Sequence, residues 1–277
     1  MWRCRGREVA LGDHTLVMGI VNVTPDSFSD GGLLADADAA VKHGMQLVDD
    51  GADILDVGGE STRPGSDPVS IDEELDRVVP VIEALAAQTD VPISVDTRKA
   101  EVARAAFEVG AAIVNDVTAG AESAMLELVR DSGAGLVLMH MQGEPKSMQA
   151  DPRYDDVVRE VRDFLADRIG AAVAAGVPRG QLCADPGIGF GKTLAHNLAL
   201  LRDLAAFGDL RVPVLVGVSR KRFIGELTGV DQAHERLEGT AAAVAWCAAN
   251  GVHVVRVHDV AEIVKVVRVI DAIARER

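Results

Sequence analysis

Acidic and amide side chains stand at the ends of four short apolar runs in this sequence. The four residues are Asp56, Asp96, Asn115 and Asp185. A carboxylate can accept two parallel hydrogen bonds from a planar group that carries an amidine-like edge. This set is therefore suited to a flat heterocycle that is rich in N–H donors. A polar residue after a strand often caps the next helix, but repetition at successive strand ends favours a binding site.

Basic side chains form a second set at the ends of other apolar runs: Arg63, Arg220, Lys221, Arg222, Arg256 and His258. The segment SRKR (219–222) directly follows the apolar run PVLVGV, where we expect a short helix to begin. Cations and the free backbone N–H groups of a helix start both favour an anion. A solvated basic face is the alternative for this segment. Because the formal net charge is −15, an anionic ligand must be held by such local cations.

Composition and residue spacing exclude several classes of function. The acidic balance argues against nonspecific nucleic-acid binding, which needs a basic face. The seven histidines show no HxH or HExxH spacing, and Cys4, Cys183 and Cys247 form no CxxC pair, so neither a zinc site nor a disulfide is expected. No apolar run reaches the length of a membrane span, and the first residues lack a secretory apolar core. We therefore expect a cytoplasmic protein.

Eight short β-branched runs supply the strands that must position these side chains. They are 16–21, 53–57, 92–96, 112–116, 135–139, 181–185, 213–218 and 252–257. Segments of helical period lie between them, and strand and helix alternate at about 30–35 residues per unit, the spacing of βαβ repeats.

This alternation predicts an α/β protein, a (β/α)8 TIM barrel, formed as a single domain over residues 1–277 with a core from about 15 to 275. A doubly wound open sheet is the alternative. Such a sheet usually carries a glycine-rich turn after its first strand, whereas here that strand ends in Asn-Val-Thr-Pro. In a barrel the carboxyl ends of all strands meet at one face, where substrates bind. The acidic and basic sets would then line one site.

Seven segments of the chain occur in the order of a known family between residues 18 and 260: MGIVNVTPDSFSDGG, DVGGESTRPG, SVDT, VNDV, DPGIGFGKT, VSRKRFIG and RVHDV. Together they resemble the signature segments of the bacterial dihydropteroate synthases. The resemblance implies a barrel, usually a homodimer, that condenses 6-hydroxymethyl-7,8-dihydropterin pyrophosphate with p-aminobenzoate. The implied products are dihydropteroate and pyrophosphate, the implied cofactor is Mg²⁺, and sulfonamides, which mimic p-aminobenzoate, are implied inhibitors.

The resemblance also assigns roles to the positions that match the family's motifs. The implied pterin pocket consists of Asp96, Asn115, Asp185 and Lys221, with Asp56, Met139 and Phe190 nearby. The implied pyrophosphate site consists of Asn22, Thr62, Arg63, Arg256 and His258, and Asn22 is also the implied metal ligand. Gly217 and Ser219 complete the implied substrate-binding set. The residues expected to act in catalysis are Asp96, Lys221, Arg256 and His258.

Two loops are expected to cover the site. TPDSFSDGG (24–32) and GGESTRPGSDP (58–68) follow the first two strands, and in the family such loops order over the metal, pyrophosphate and p-aminobenzoate. Phe28, Thr62 and Pro64 correspond to loop positions near the aromatic amine. Disordered surface loops are the alternative. Arg222 stands where many family members have the Ser that helps to hold the p-aminobenzoate carboxylate, and its longer side chain need not reach the same point.

The chemistry expected of this site is a substitution that resembles SN1, because the electron-rich ring can stabilise positive charge on the CH₂ group as pyrophosphate leaves. Two other functions fit parts of the pattern. A barrel that transfers a methyl group from methyltetrahydrofolate to a corrinoid would keep the pterin pocket but needs no pyrophosphate site. A catalytically silent paralogue would bind pterins, but its loop or cation motifs would be damaged, and here they are intact. His140 either lines the site or packs in the core.

Overall fold

The structure is a computed structural model that describes residues 1–24, 32–61, 66–144 and 146–274, with only the backbone described for 32–36. Four residues of the predicted site lie outside the described residues: Phe28, Thr62, Arg63 and Pro64. What the sequence predicts for these four, and for the two covering loops that carry them, stays a prediction.

Strands β1 (Trp2–Cys4) and β2 (Arg7–Val9) form a small antiparallel hairpin. Eight further strands form one parallel sheet: β3 (Leu16–Asn22), β4 (Ile54–Gly58), β5 (Ile93–Asp96), β6 (Ile113–Asp116), β7 (Gly135–Met139), β8 (Leu182–Asp185), β9 (Leu215–Val216) and β10 (Val254–Val257). Neighbours in sequence pair from β3 to β8, and β10 pairs with both β3 and β9. A bridge between Ala184 and Val214 brings β8 beside β9. The sheet thus closes, which confirms the predicted (β/α)8 class.

Helices follow the barrel strands: α1 (Gly32–Asp49), α2 (Ile71–Ala86), α3 (Ala100–Glu108), α4 (Ser123–Ser132), α5 (Val157–Ala174), α6 (Leu194–Arg202), α7 (Arg222–Thr228), α8 (Leu237–Ala249) and α9 (Val260–Ala274). Local side chains fix where some of them begin. The Ser70 hydroxyl accepts a hydrogen bond from the backbone N–H of Glu73 at the start of α2 (3.2 Å). Thr193 and His196 form a capping box at the start of α6.

The apolar core has two parts. The larger part lies between the sheet and the helices, as the alternation of outward and inward side chains in a barrel requires. The smaller part fills the amino-terminal end of the barrel interior, and the hairpin packs there. Trp2 is fully buried and donates from Nε1 to the carbonyl oxygen of Gln181 at 2.8 Å. The core therefore extends to Trp2 and Cys4, beyond the predicted start near residue 15, because three-residue strands leave little periodic signal.

The three cysteines are buried and unpaired. In the part of the chain that the structure describes, no helix has both the length and the apolar composition needed to cross a bilayer.

Candidate active site

The two-residue period of the strands brings predicted site residues into the barrel interior. In five strands an inward-facing core residue is followed, two positions later, by a residue of the predicted site. The pairs are Ile54 and Asp56, Ile113 and Asn115, Val137 and Met139, Cys183 and Asp185, and Val254 and Arg256. These side chains form a layer at the carboxyl-terminal mouth of the barrel, hereafter the mouth layer. This is the face on which TIM-barrel enzymes bind substrates.

Arg256 joins two acidic side chains at the mouth of the barrel, Asp56 of the mouth layer and Asp96 at the end of β5. It reaches from β10 past β3, so that its Nε lies 2.6 Å from Asp56 Oδ2 and its Nη2 lies 2.8 Å from Asp96 Oδ2. Burial raises the pKa of Asp96 to about 7, although Arg256 opposes this rise. Burial lowers the pKa of Arg256, but the two carboxylates more than offset this and hold it above its ordinary value. The guanidinium therefore stays charged in the barrel mouth.

Asn115 belongs to the same hydrogen-bonded cluster as Asp56 and Arg256. Its Nδ2 donates to Asp56 Oδ2 at 3.1 Å. Among the described residues, neither Asp56 Oδ1 nor Asn115 Oδ1 has a hydrogen-bond partner, although both are buried. An unsatisfied buried acceptor costs on the order of 1–3 kcal/mol. The mouth layer is therefore suited to water or to a ligand that brings N–H donors.

A second group at the mouth contains Asp185, Lys221 and Phe190. Asp185 Oδ1 accepts from the backbone N–H of Gly187 at 2.7 Å, and Lys221 Nζ lies 4.1 Å from the centre of the Phe190 ring. Burial raises the pKa of Asp185 to about 6 and lowers that of Lys221 to about 8, while the attraction between the two charges opposes both shifts. An aromatic face beside charges of both signs is suited to a flat polar ligand.

The loop that carries Phe190 is held by a buried pair, Lys192 and His140. Lys192 Nζ lies 3.0 Å from His140 Nδ1 and donates to the carbonyl oxygen of Phe190 at 2.9 Å. Burial lowers the pKa of Lys192 to about 7 and that of His140 to about 3. A Cβ at Gly187, whose φ is +66°, would lie 1.9 Å from the His140 carbonyl oxygen, so only glycine permits this approach. His140 thus packs beneath the loop, the second of its two expected roles.

The segments after β9 and β10 meet through Ser219 and His258. The Ser219 hydroxyl lies 3.0 Å from His258 Nδ1 and accepts from the backbone N–H of His258 at 3.2 Å. Arg220 has a φ of +58°, and its Nε lies 3.0 Å from Asp259 Oδ2. Its backbone N–H donates to Thr240 Oγ1 at 3.0 Å. A positive φ at a residue other than glycine is strained. Such strain persists where surrounding contacts hold the backbone in place, as they do at functional sites.

Three further predicted residues lie at the edge of this arrangement. Asn22 ends β3 and pairs with Gly58 in the ladder to β4. A Cβ at Gly217 would lie 3.9 Å from Arg256 Cβ, so this glycine borders the stem of that arginine. The Arg222 side chain is 82% exposed and pairs with Glu226 one turn along α7, 2.8 Å between Nε and Oε1. The structure does not bring Arg222 into the mouth layer.

Among the described residues, the barrel mouth offers few ligands for a metal ion. Within the described ranges, no three His, Cys, Asp or Glu side chains cluster so that they could hold a metal. Asn22 offers one amide oxygen, which fits Mg²⁺ as one ligand of an ion held mainly by phosphate oxygens and water. The residues present therefore fit an ion that arrives with a phosphorylated substrate.

The structure also differs from the predicted sorting into two sets. The sequence places Arg256 with the anion-binding cations, whereas its guanidinium is joined to Asp56 and Asp96 of the acidic set. Arg220, predicted among the basic residues, is paired with Asp259. Side chains of opposite charge attract across strands that are far apart in sequence, so the sign of the charge alone does not separate the two sets in space.

A buried ion network holds the start and end of the second covering loop, and the sequence predicts no such network. Lys99 Nζ lies 2.7 Å from Glu60 Oε2, contacts Glu74, and donates to the carbonyl oxygen of Val69 at 2.8 Å. The Glu74 side chain is 1% exposed. The only sequence signal is a glutamate after one strand and a lysine after the next, which is too weak to predict the contact.

Known proteins are similar to this chain over most of its length. The sequence profile of the family described as pterin binding enzyme matches residues 18–258. The dihydropteroate synthase of Escherichia coli (strain K12) is 50% identical over 259 residues, which cover 94% of this chain and 92% of that protein.

Two solved structures of Xanthomonas albilineans dihydropteroate synthase are similar to the whole chain. The structure with 4-aminobenzoic acid has a TM-score of 0.93 and 51% identity, and 99% of each chain is covered. The complex with 7,8-dihydropteroate has a TM-score of 0.90 and 49% identity, with 99% of this chain and 100% of that chain covered. The chain therefore belongs to the pterin binding enzyme family, and within it to the dihydropteroate synthases.

Proposed function

We propose that the mouth layer condenses 6-hydroxymethyl-7,8-dihydropterin pyrophosphate with p-aminobenzoate. The observation that carries the proposal is the joining of Arg256 to Asp56 and Asp96, which puts a fixed cation among buried carboxylates at the substrate face of the barrel. Relatives of this chain have been solved with 4-aminobenzoic acid and with 7,8-dihydropteroate, and these are a substrate and the product of the proposed reaction.

The acidic residues bind the pterin ring. Its donor-rich edge supplies the hydrogen bonds that Asp56 Oδ1 and Asn115 Oδ1 lack, and Asp96 and Asp185 accept further N–H groups. Phe190 and the Lys221 side chain, which lie 4.1 Å apart, border the flat face of the ring. The buried carboxylates distinguish the pterin from a ring of the same shape without donors, because such a ring leaves them unpaired.

The pyrophosphate lies toward the cations. Arg256 and His258 bind its oxygens, together with Thr62 and Arg63 of the second covering loop. Asn22 would hold the Mg²⁺ that accompanies the pyrophosphate, and the ion would neutralise charge on the leaving group. Because the net charge of the chain is −15, these local cations are what makes the site attractive to an anion.

The reaction breaks the bond between the pterin CH₂ group and the bridging oxygen, whose electron pair leaves with pyrophosphate. The electron-rich ring stabilises the positive charge left on the CH₂ carbon, and Asp96 stabilises the cationic ring. The amine nitrogen of p-aminobenzoate then forms the C–N bond, and the pyrophosphate accepts the proton that the nitrogen loses. Phe28 and Pro64, on the covering loops, contact the aromatic amine and keep water from the reactive carbon.

Two features of the surroundings are part of the proposal. We place the protein in the cytoplasm, because its three cysteines are buried and unpaired and a reducing compartment keeps thiols free.

We also propose a homodimer, because α8 and α9 expose Trp246, Val269 and Ile273, which are 50, 58 and 76% exposed. Light scattering should give twice the monomer mass, and Val269→Asp with Ile273→Asp should reduce it to that of the monomer.

The test of the function is pyrophosphate release by the purified protein with Mg²⁺, dihydropterin pyrophosphate and p-aminobenzoate. Release that requires both substrates and stops with EDTA supports the proposal. A silent pterin-binding paralogue would bind the dihydropterin without release. A methyltransferase would use methyltetrahydrofolate and a corrinoid and ignore p-aminobenzoate, so either result would overturn the assignment.

A further inference from the structure

The contact between Ser219 and His258 is built by the pairing of two neighbouring strands. Leu215 pairs with Val254 and Val216 with Val255 in the parallel ladder of β9 and β10. The same offset, continued beyond the ends of the strands, puts Ser219 beside His258. Ser219 is 6% exposed, so its hydroxyl must find its partners within the protein.

The hydrogen bonds of this hydroxyl determine where its proton points. Its oxygen accepts from the backbone N–H of His258 at 3.2 Å, and it lies 3.0 Å from Nδ1 of the same residue. Within the described ranges, Ser219 Oγ has no other acceptor within hydrogen-bond distance. If Nδ1 carried a proton, the hydroxyl would receive two donors and its own proton would have no partner. The satisfied arrangement has the hydroxyl donating to an unprotonated Nδ1.

We propose that Ser219 is a positioning residue that holds His258 in the tautomer with its proton on Nε2. The neutral imidazole then presents an N–H donor at the nitrogen opposite Ser219, without the need to become an imidazolium. This donor hydrogen-bonds an oxygen of the departing pyrophosphate, a step that rests on the proposed function. An imidazole held in the wrong tautomer presents a lone pair to the anion and repels it.

The tautomer is measured directly by two-bond ¹H–¹⁵N correlation spectra of protein labelled with ¹⁵N-histidine, recorded without substrate. The His258 signals are those missing from His258→Gln among the seven histidines of the chain. We expect a protonated Nε2 and an unprotonated, hydrogen-bonded Nδ1 at a pH where the ring is neutral. A protonated Nδ1 in the unsubstituted protein would overturn the proposal, whatever the variants do.

Two substitutions separate this role from simple packing. Ser219→Thr keeps the hydroxyl and should retain both the tautomer and the affinity for inorganic pyrophosphate with Mg²⁺. Ser219→Asp offers only acceptors, so it should move the proton to Nδ1 and weaken pyrophosphate binding on the order of tenfold or more. Calorimetry measures the affinity, and circular dichroism checks that each variant is folded.

The added charge of Ser219→Asp also repels pyrophosphate, and a double-mutant cycle removes this effect. In the His258→Gln background there is no tautomer to change, so the loss caused by Ser219→Asp should shrink to its electrostatic part. An equal loss in both backgrounds would refute the positioning role. The spectra need no substrate, so a protein with the expected tautomer but no synthase activity would refute the proposed function and leave this inference standing.

Discussion

Arg256 on β10 and Asp96 at the end of β5 lie 160 residues apart in sequence, yet Nη2 and Oδ2 are 2.8 Å apart at the barrel mouth. This contact connects the two chemical halves of the site, because one partner belongs to the predicted anion set and the other to the predicted pterin set. In the proposed reaction, charge that develops on the ring and charge that departs with pyrophosphate would therefore act on one hydrogen-bonded cluster.

The charge of Asp96 should matter more to catalysis than to folding. In Asp96→Asn the side chain keeps its size but loses the negative charge that stabilises the cationic ring, so we expect turnover at saturating substrates to fall about 100-fold. Stability should change little, because burial already raises the pKa of this carboxyl to about 7. Steady-state kinetics and thermal unfolding measure the two quantities. Unchanged turnover would remove Asp96 from this role.

Removal of the Lys99 side-chain charge should destabilise the protein. Lys99→Met leaves the carboxylates of Glu60 and Glu74 buried without their shared cation, so we expect the free energy of unfolding to fall by about 3–5 kcal/mol. Lys146→Met is the matched control, because Lys146 pairs with Asp67 at the surface, where the two side chains are 68 and 79% exposed. Because solvent screens this exposed pair, that change should cost little. If urea unfolding gave the same loss in free energy of unfolding for both variants, the buried network would contribute no more than the surface pair.

Pterin binding should release protons in mildly acidic solution. Burial raises the pKa of the free Asp185 carboxyl to about 6, and N–H donors from a bound ring favour its charged form, so binding lowers that pKa. Affinity for a pterin should therefore increase as the pH rises from about 5 to 7 and be lost as the pH falls. Calorimetry in two buffers of different ionisation enthalpy counts the protons. Asp185→Asn should reduce the release, and proton uptake on binding would disprove this account.

Trp2 should affect stability without affecting turnover. Its ring is fully buried at the amino-terminal end of the barrel, away from the mouth, so Trp2→Ala should lower the free energy of unfolding by about 3–5 kcal/mol. Val173→Ala, on α5, truncates a side chain that is 41% exposed and should cost less. Turnover of the folded Trp2→Ala protein should stay within about twofold of the original, because stability and catalysis reside at opposite ends of this fold. A large loss of turnover would mean that the two ends are coupled.

The barrel and the layer of inward-facing polar residues could be predicted from the sequence. Both follow from short-range rules: β-branched runs form strands, and a two-residue period places Asp56 beside Ile54 on the inner face. The positions of Asn115, Asp185 and Arg256 follow from the same rule, once the strands are arranged in a barrel.

The partners of these residues could not be predicted in this way. Arg256 lies 200 residues from Asp56, and nothing local to either residue determines that they meet. Lys192 and His140 form their buried contact only because Gly187 allows the loop to pass close to the chain. The hairpin that buries Trp2 consists of two strands of three residues each, which is too short for periodicity to indicate.

The most direct test of the central claim uses dihydropterin pyrophosphate with ¹⁸O in the oxygen that bridges the CH₂ group and the phosphorus. The protein is incubated with this ester, p-aminobenzoate and Mg²⁺, and the masses of the products are measured by mass spectrometry. We predict dihydropteroate and pyrophosphate that carries the ¹⁸O, because the C–O bond is the one that breaks. The claim is contradicted if the label stays with the pterin, or if no dihydropteroate forms.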